Sequence, residues 1–297
     1  MKISTLSVIS KMKLMLVSLV LIPSILAASA CTLSFKKYIK DDTDSFSLAE
    51  ADSIVVDALV KELHVTGDPD EQSVSITLKG TIWAAFEPAI YIDRIGKTVT
   101  IRTHEQNLLG NSISRNDLEM TITIPAGYSG DISLSTVSGS IDFRDMDVDK
   151  AKLSSVSSDI YMTNINCTEA DISTVSGLIN YSGSSTGELR TESVSGDITL
   201  SELAFDALKS KNVSGDVVIL GPVKTGDMDA TTVSGGVVIE TDGETGFTLT
   251  YSTVSGDLES GGDLIMKEFS GKNVTAVKGD GEKTLKVSTI SGKLKID

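Results

Sequence analysis

The chain has 297 residues, and its 41 acidic against 26 basic side chains give a formal charge of −15. That charge repels phosphate backbones and disfavours a nucleic-acid binder. Two His and two Cys leave too little material for a disulfide scaffold or an ordinary zinc site, and 5% aromatics argue against a groove lined with stacking rings.

The chain opens with Lys2, Lys11 and Lys13, then an apolar run from Leu14 to Leu26 broken only by Ser18, Pro23 and Ser24. The run is shorter than the roughly 20 residues that span a bilayer. It ends in Ala27-Ala28-Ser29-Ala30, the small-residue pattern of a signal-peptidase site, and Cys31 follows at once. The arrangement resembles a bacterial lipobox, with Ala28 where Leu is usual. The resemblance implies removal of residues 1–30 and a diacylglycerylated Cys31 as the mature N-terminus. Two acyl chains would hold the protein stably to a leaflet. Residues 31–48, including the polar stretch from Thr32 to Ser47, read as the lipidated Cys and a tether. The expected address is therefore the extracytoplasmic side of a cell or outer membrane. Cys167 is then the lone remaining thiol.

Between residues 49 and 130, strand-like segments occur at Ile54–Val60, Val74–Leu78, Thr98–Arg102 and Leu118–Ile124. Their spacing is irregular, so they read as divergent rungs and an N-terminal cap, with Gly80–Pro88, carrying Trp83 and Phe86, as a covering loop.

From residue 131 to 297 the chain repeats. Val137, Val156, Val175, Val194, Val213, Val233 and Val254, with Ile290 as a late copy, are spaced by 19, 19, 19, 19, 20, 21 and 36 residues. Apolar residues recur five and three places before each Val and four and six places after: Ala151, Leu153, Ile160 and Met162 surround Val156. Ser210 breaks the pattern at Val213. Alternation with period two on both arms predicts a strand, a corner and a strand per copy, and excludes helical repeats. The corner is chemically specific. Ser follows in all eight copies (Ser138, Ser157, Ser176, Ser195, Ser214, Ser234, Ser255, Ser291), and Gly follows the Ser in seven (Gly139, Gly177, Gly196, Gly215, Gly235, Gly256, Gly292), with Ser158 the exception. Gly is expected there for a positive φ, and Ser for hydroxyl bonds to nearby backbone.

A unit this short cannot bury its apolar face alone, so the copies must stack. The predicted fold is an all-β, single-domain parallel β-solenoid, right-handed by the usual crossover rule. Eight rungs at about 4.8 Å each would span roughly 40 Å. The gap of 36 residues reads as an insertion at about 255–284, folded as a hairpin over one face.

Thr136-Val137-Ser138-Gly139, Ser193-Val194-Ser195-Gly196-Asp197-Ile198, Thr253-Val254-Ser255-Gly256-Asp257-Leu258 and the terminal Val287-Ser288-Thr289-Ile290-Ser291-Gly292-Lys293-Leu294 resemble the toastrack-type putative adhesin family of bacterial envelope proteins. The resemblance covers roughly Ser53 to Asp297. It implies a β-solenoid at the cell surface, often membrane-tethered, with roles in adhesion or envelope-stress sensing, and it brings no catalytic residues.

The residues themselves offer little chemistry. His64 and His104 stand outside any catalytic motif and read as solvated or packed. Arg94, Arg102, Arg115, Arg144 and Arg190 do not recur at the repeat period, unlike the basic clusters of polysaccharide-active β-helices. Asp145, Asp147 and Asp149 alternate like the start of a calcium loop, but Lys150 and Val156 stand where its Gly and Glu belong. Asp197 and Asp216 hold equivalent places on neighbouring rungs, about 5 Å apart at strand spacing, and are weak candidates for a shared cation. Gly279-Asp280-Gly281-Glu282-Lys283-Thr284 lacks Walker spacing and reads as a turn.

The expectation is a non-enzymatic, cofactor-free surface protein, membrane-held by its lipid, whose partner is a protein or glycan of the envelope or host. An envelope-stress accessory acting through a membrane partner is the alternative, and a glycan-active enzyme the weakest reading.

Overall fold

Strands form here because apolar side chains alternate with small polar ones, and each apolar set finds the equivalent set of the next rung at its back. In the computed structural model, residues 34–297 are described, except 49, 105–112, 222–224, 242, 244, 262–263 and 271. The signal segment of residues 1–30 and Cys31 lie outside the described residues. Residues 35–297 form one unit.

Its first part contains β1 (Lys36–Phe46), β2 (Ser53–Ala58), β3 (Glu62–Asp68), β4 (Val74–Ala84), β5 (Tyr91–Ile95), β6 (Thr98–Arg102), β7 (Ile113–Pro125) and β8 (Asp131–Thr136). The regular middle contains β9 (Ser140–Ser155), β10 (Ile160–Thr174), β11 (Ile179–Ser193), β12 (Ile198–Asn212), β13 (Val217–Leu220), β14 (Thr225–Thr231) and β15 (Val237–Ile239). The last part contains β16 (Phe247–Ser252), β17 (Leu258–Ser260), β18 (Ile265–Ser270), β19 (Asn273–Lys278), β20 (Lys283–Ser288) and β21 (Leu294–Ile296).

Strands β9 to β12 each leave one corner (Val-Ser-Gly, or Val156-Ser157-Ser158 before β10), bend in mid-course and arrive at the next. Neighbours pair in parallel with an offset of one repeat, so Ile160 faces Ile141 on one side and Ile179 on the other. Buried columns result. Ile141, Ile160, Ile179, Ile198, Val217, Val237 and Leu294 stack behind the strands that follow the corners. Ala151, Ala170, Leu189 and Leu208, with Leu153 and Ile172, stack behind those that precede them. The break at Ser210 is repaired locally: Thr191 and Ser210 are both fully buried, and the Thr191 hydroxyl donates to Ser210 Oγ at 2.9 Å.

The parallel ladder does not follow chain order at its ends. Strand β2 lies between β6 and β8, and β3 between β7 and β9, so the first rung is tucked one place inward. At the other end β20 lies between β14 and β16, and β21 between β15 and β17. The corner of Ile290 therefore sits between those of Val233 and Val254. The gap of 36 residues arises because the Val254 rung is outermost and the chain turns back through the β18–β19 hairpin, β19 lying antiparallel on β16. Antiparallel β1, β4 and β5 close the opposite end. Each antiparallel strand satisfies backbone groups of the rung it covers, and ends the ladder without presenting a further rung template.

Three expectations are corrected by this arrangement. The tether is largely a strand: β1 pairs with β4 along its whole length, with Tyr38 and Phe46 against the core. The residues from 255 to 284 are a terminal half-rung and a capping hairpin rather than an insertion into a linear coil. The Gly80–Pro88 loop begins in fact as strand, since β4 runs to Ala84 with Ile82 fully buried.

Candidate binding face

The Val-Ser-Gly corners hold the rungs together by backbone contact. The N–H of Ser157 donates to the carbonyl of Val137 at 3.0 Å, and Ser176, Ser195, Ser214 and Ser234 repeat the bond to the preceding rung. Ser291 donates to Val233 and Ser255 to Ile290, which follows the exchanged order of the last two rungs. The Ser contribution is thus its N–H. Hydroxyl bonds accompany it at Ser255 (3.2 Å) and Ser291 (3.4 Å).

The corner Gly answers to crowding rather than to φ. A Cβ on Gly196 would lie 1.8 Å from the carbonyl oxygen of Gly177, on Gly235 1.9 Å from that of Gly215, and on Gly292 1.7 Å from that of Gly235. Of these corner positions Gly215 alone has a positive φ, at +147°. The left-handed backbone falls instead at the opposite bend, where Asp145, Asn164, Gly183 and Glu202 have φ of 60°, 54°, 62° and 53°. The corner Val side chains point outward, with Val137 51% and Val254 60% exposed. A feature the apolar pattern does not announce is the polar side chain just before the corner, buried in seven of the eight copies as Thr136, Ser155, Thr174, Ser193, Asn212, Thr232 and Thr289. Thr136 donates to the carbonyl of Gly139 (2.6 Å) and Thr289 to that of Gly292 (3.0 Å), while Asn212 in the same place donates to Gly196 (2.8 Å). The signal was available, since Thr, Ser or Asn precedes the Val or Ile in all eight copies.

The acidic candidates are likewise occupied by the next rung. Asp197 accepts the N–H of Asp216 at 2.8 Å, Asp216 that of Gly236 at 2.7 Å, and Asp159 that of Leu178 at 2.8 Å. Asp145 and Asp147 accept from the amides of Asn164 (2.9 Å) and Asn166 (2.7 Å), and Asp149 from the Thr168 hydroxyl. Among the described residues no group of three His, Cys, Asp or Glu is placed to hold a metal ion. These carboxylates act as side-chain caps on neighbouring backbone and amide groups.

His64 sits among carboxylates, with Nδ1 3.3 Å from Asp142 and Nε2 3.5 Å from Glu62. His104 lies 4.0 Å from Asp57. Cys167 is half-buried with Sγ 2.8 Å from the Thr186 hydroxyl, and burial pushes its thiol up from the ordinary range. Beside it, Tyr181 is fully buried and donates to the carbonyl of Ile165 at 2.9 Å; desolvation raises its phenol strongly.

With these groups engaged inside and between rungs, the outer faces remain. Strands preceding the corners carry alternating charge: Lys150, Glu169 and Arg190 are linked by ion pairs, as are Glu192 with Lys211 and Asp229 with Lys286. Strands following the corners carry a neutral patch. Tyr161, Asn180 and Thr199 stand in register, flanked by the register Thr163, Ser182 and Ser201. The row continues into Val218 and Val238. At its edge Asp142, Arg144, Asp145, Tyr161, Thr163 and Asn164 line a shallow open depression of about 440 Å³.

Among curated proteins none matches the chain. Crystal structures to which the chain is similar include a putative adhesin from Bacteroides fragilis (15% identity, TM-score 0.49, covering 87% of this chain and 97% of that one). A putative adhesin from Parabacteroides merdae gives 11% identity and a TM-score of 0.48, over 87% of this chain and 96% of that one. A putative lipid binding protein from Parabacteroides distasonis gives 11% identity and a TM-score of 0.39, over 87% and 97%. The family model described as Toastrack DUF4097 matches residues 67–297. By that match, across the whole repeat region, the chain belongs to the Toastrack DUF4097 family.

Proposed function

We propose that the protein is a non-enzymatic binding solenoid, displayed on the outer side of a cell envelope through Cys31, whose neutral face takes an envelope or host component. The observation that carries this reading is the register array of Tyr161, Asn180 and Thr199 beside Thr163, Ser182 and Ser201. Hydroxyl and amide groups repeat there at strand spacing, about 4.8 Å, on a backbone already fixed by its ladder. An extended partner, a glycan or a polypeptide segment, can meet several equivalent groups while ordering little of the protein. The charged face, by contrast, satisfies much of its charge internally.

The test is capture from intact envelopes with a chain beginning at Ser34, ahead of β1. A start near Asp42 would cut that strand. Lysines introduced by Asn180→Lys and Thr199→Lys should abolish capture, whereas Lys152→Glu on the other face should leave it unchanged. Equal capture by both variants would refute the assignment of the face. Recovery of a membrane sensor would move the reading to the envelope-stress accessory.

A further inference from the structure

The three strands β1, β4 and β7 form a ribbon that runs past the end of β3, which pairs with β7 only from Glu119 onward. Where the ribbon passes that end, Lys37, Trp83 and Arg115 lie side by side across the three strands, and Ile39 and Thr81 form the next row. Trp83 is 42% exposed, Ile39 76% and the adjoining Phe35 38%. One side of the ribbon is nonetheless packed, since Ile82 and Ala84 are fully buried. The exposed apolar side chains thus occupy the outward face of an ordered element.

Charge at this tip runs against the rest of the chain. Lys36 and Lys37 are both exposed and carry no ion pair among the described residues. The neighbouring carboxylates are engaged, Asp117 by Arg115 at 2.7 Å and Glu87 by Lys40 at 3.4 Å. A strongly acidic molecule is repelled by an anionic surface in most orientations, so a basic, aromatic tip is where it can approach. The tip is also close in sequence to the proposed anchor. Phe35 follows Cys31 by four residues, a reach of at most about 14 Å for extended chain.

We infer that the ribbon tip of Phe35, Lys36, Lys37, Ile39 and Trp83 is an interfacial contact for an anionic lipid bilayer. It rests on the anchoring of Cys31 proposed above. Trp and Phe settle at the headgroup boundary, and Lys reaches from apolar surroundings to the charged heads. The contact would fix the solenoid's orientation, holding the closed β1 end at the membrane and leaving the broad faces free for a partner.

Trp83 is the only tryptophan in the chain, so its emission reports the tip alone. The full chain, purified from bacterial membranes, is mixed with vesicles of phosphatidylglycerol and phosphatidylcholine whose acyl chains carry bromine. Sedimentation with the vesicles reads the anchor, and quenching of Trp83 reads the tip. We expect blue-shifted, quenched emission that weakens as salt rises and in vesicles of phosphatidylcholine alone. In the Lys36→Gln/Lys37→Gln variant the docked-to-undocked ratio should fall roughly 25-fold, about fivefold per lysine, while the chain still sediments. Unquenched Trp83 on a sedimenting chain would overturn the inference, as would quenching indifferent to lipid charge and to the two lysines. A chain that fails to sediment would sink the anchor, and quenching at millimolar lipid would then decide the tip by itself.

Discussion

The two turns of each rung solve one problem in different ways. At the Val-Ser-Gly corner the backbones of successive rungs come so close that a methyl group has no space. At the opposite bend there is room for Asp145, Asn164 and Glu202, but the backbone must enter the left-handed region. The first turn selects its residue by volume, and the second by conformation. This explains why Gly is nearly constant at one turn while the other accepts Asp, Asn, Gly or Glu.

The largest effect should come from filling the crowded corner. Gly196→Ala places a Cβ 1.8 Å from a carbonyl oxygen that cannot move alone. A loss of about 2–4 kcal/mol is expected, read as a lowered denaturant midpoint. Equal tolerance of Ala at both turns would break the comparison. At the bend, Gly183→Ala should cost about 1–2 kcal/mol, because φ is +62° and the new methyl meets Asn164 Oδ1 at 2.8 Å.

An intermediate effect tests the caps beside the first corner. Asp197→Ala leaves the Asp216 N–H without its acceptor and should lower stability by about 0.5–1.5 kcal/mol. Millimolar calcium should leave the wild-type melting temperature unchanged, since that carboxylate already serves the next rung.

The smallest change has the opposite sign. Glu202→Gly at φ 53° releases left-handed strain and should raise stability by up to about 1 kcal/mol, seen as a small upward shift in melting temperature. Alkali separates the turns further, because Cys167 and Tyr181 lie near the bend. Burial raises both groups above their ordinary values of 9.0 and 10.0, so the unfolded chain loses protons first as pH rises. Their stabilisation is intact below about pH 9 and declines above it. Chemical denaturation from pH 8 to pH 11 should show a falling midpoint, and Cys167→Ala should shallow that fall.

Much of this was readable without coordinates. The period of the Val copies, the alternation around them and the Ser-Gly pair identified rung, strand and corner, because a stacked strand repeats its chemistry at each pass. Sequence alone misleads where a residue's reason lies in another rung. The corner Gly suggests a positive φ, whereas its constraint is the carbonyl of its neighbour. Asp197 and Asp216 suggested a cation when each receives an N–H from the rung beyond. Lys36 to Phe46 looked like a polar tether because an edge strand over a covered sheet needs few apolar side chains, here Tyr38 and Phe46.

What the sequence by itself determined is the repeating unit: its length, its strands, its inward columns and its turn positions, all of them local consequences of period-two alternation and small residues. The tertiary structure decided the order in which the units stack. Rungs of similar pattern are nearly interchangeable to a neighbouring strand, so nothing local places the Ile290 rung inside the Val254 rung or β2 inside β6. That choice belongs to the ends, where open backbone must be closed by antiparallel strands and the terminal rungs gain a neighbour on both sides.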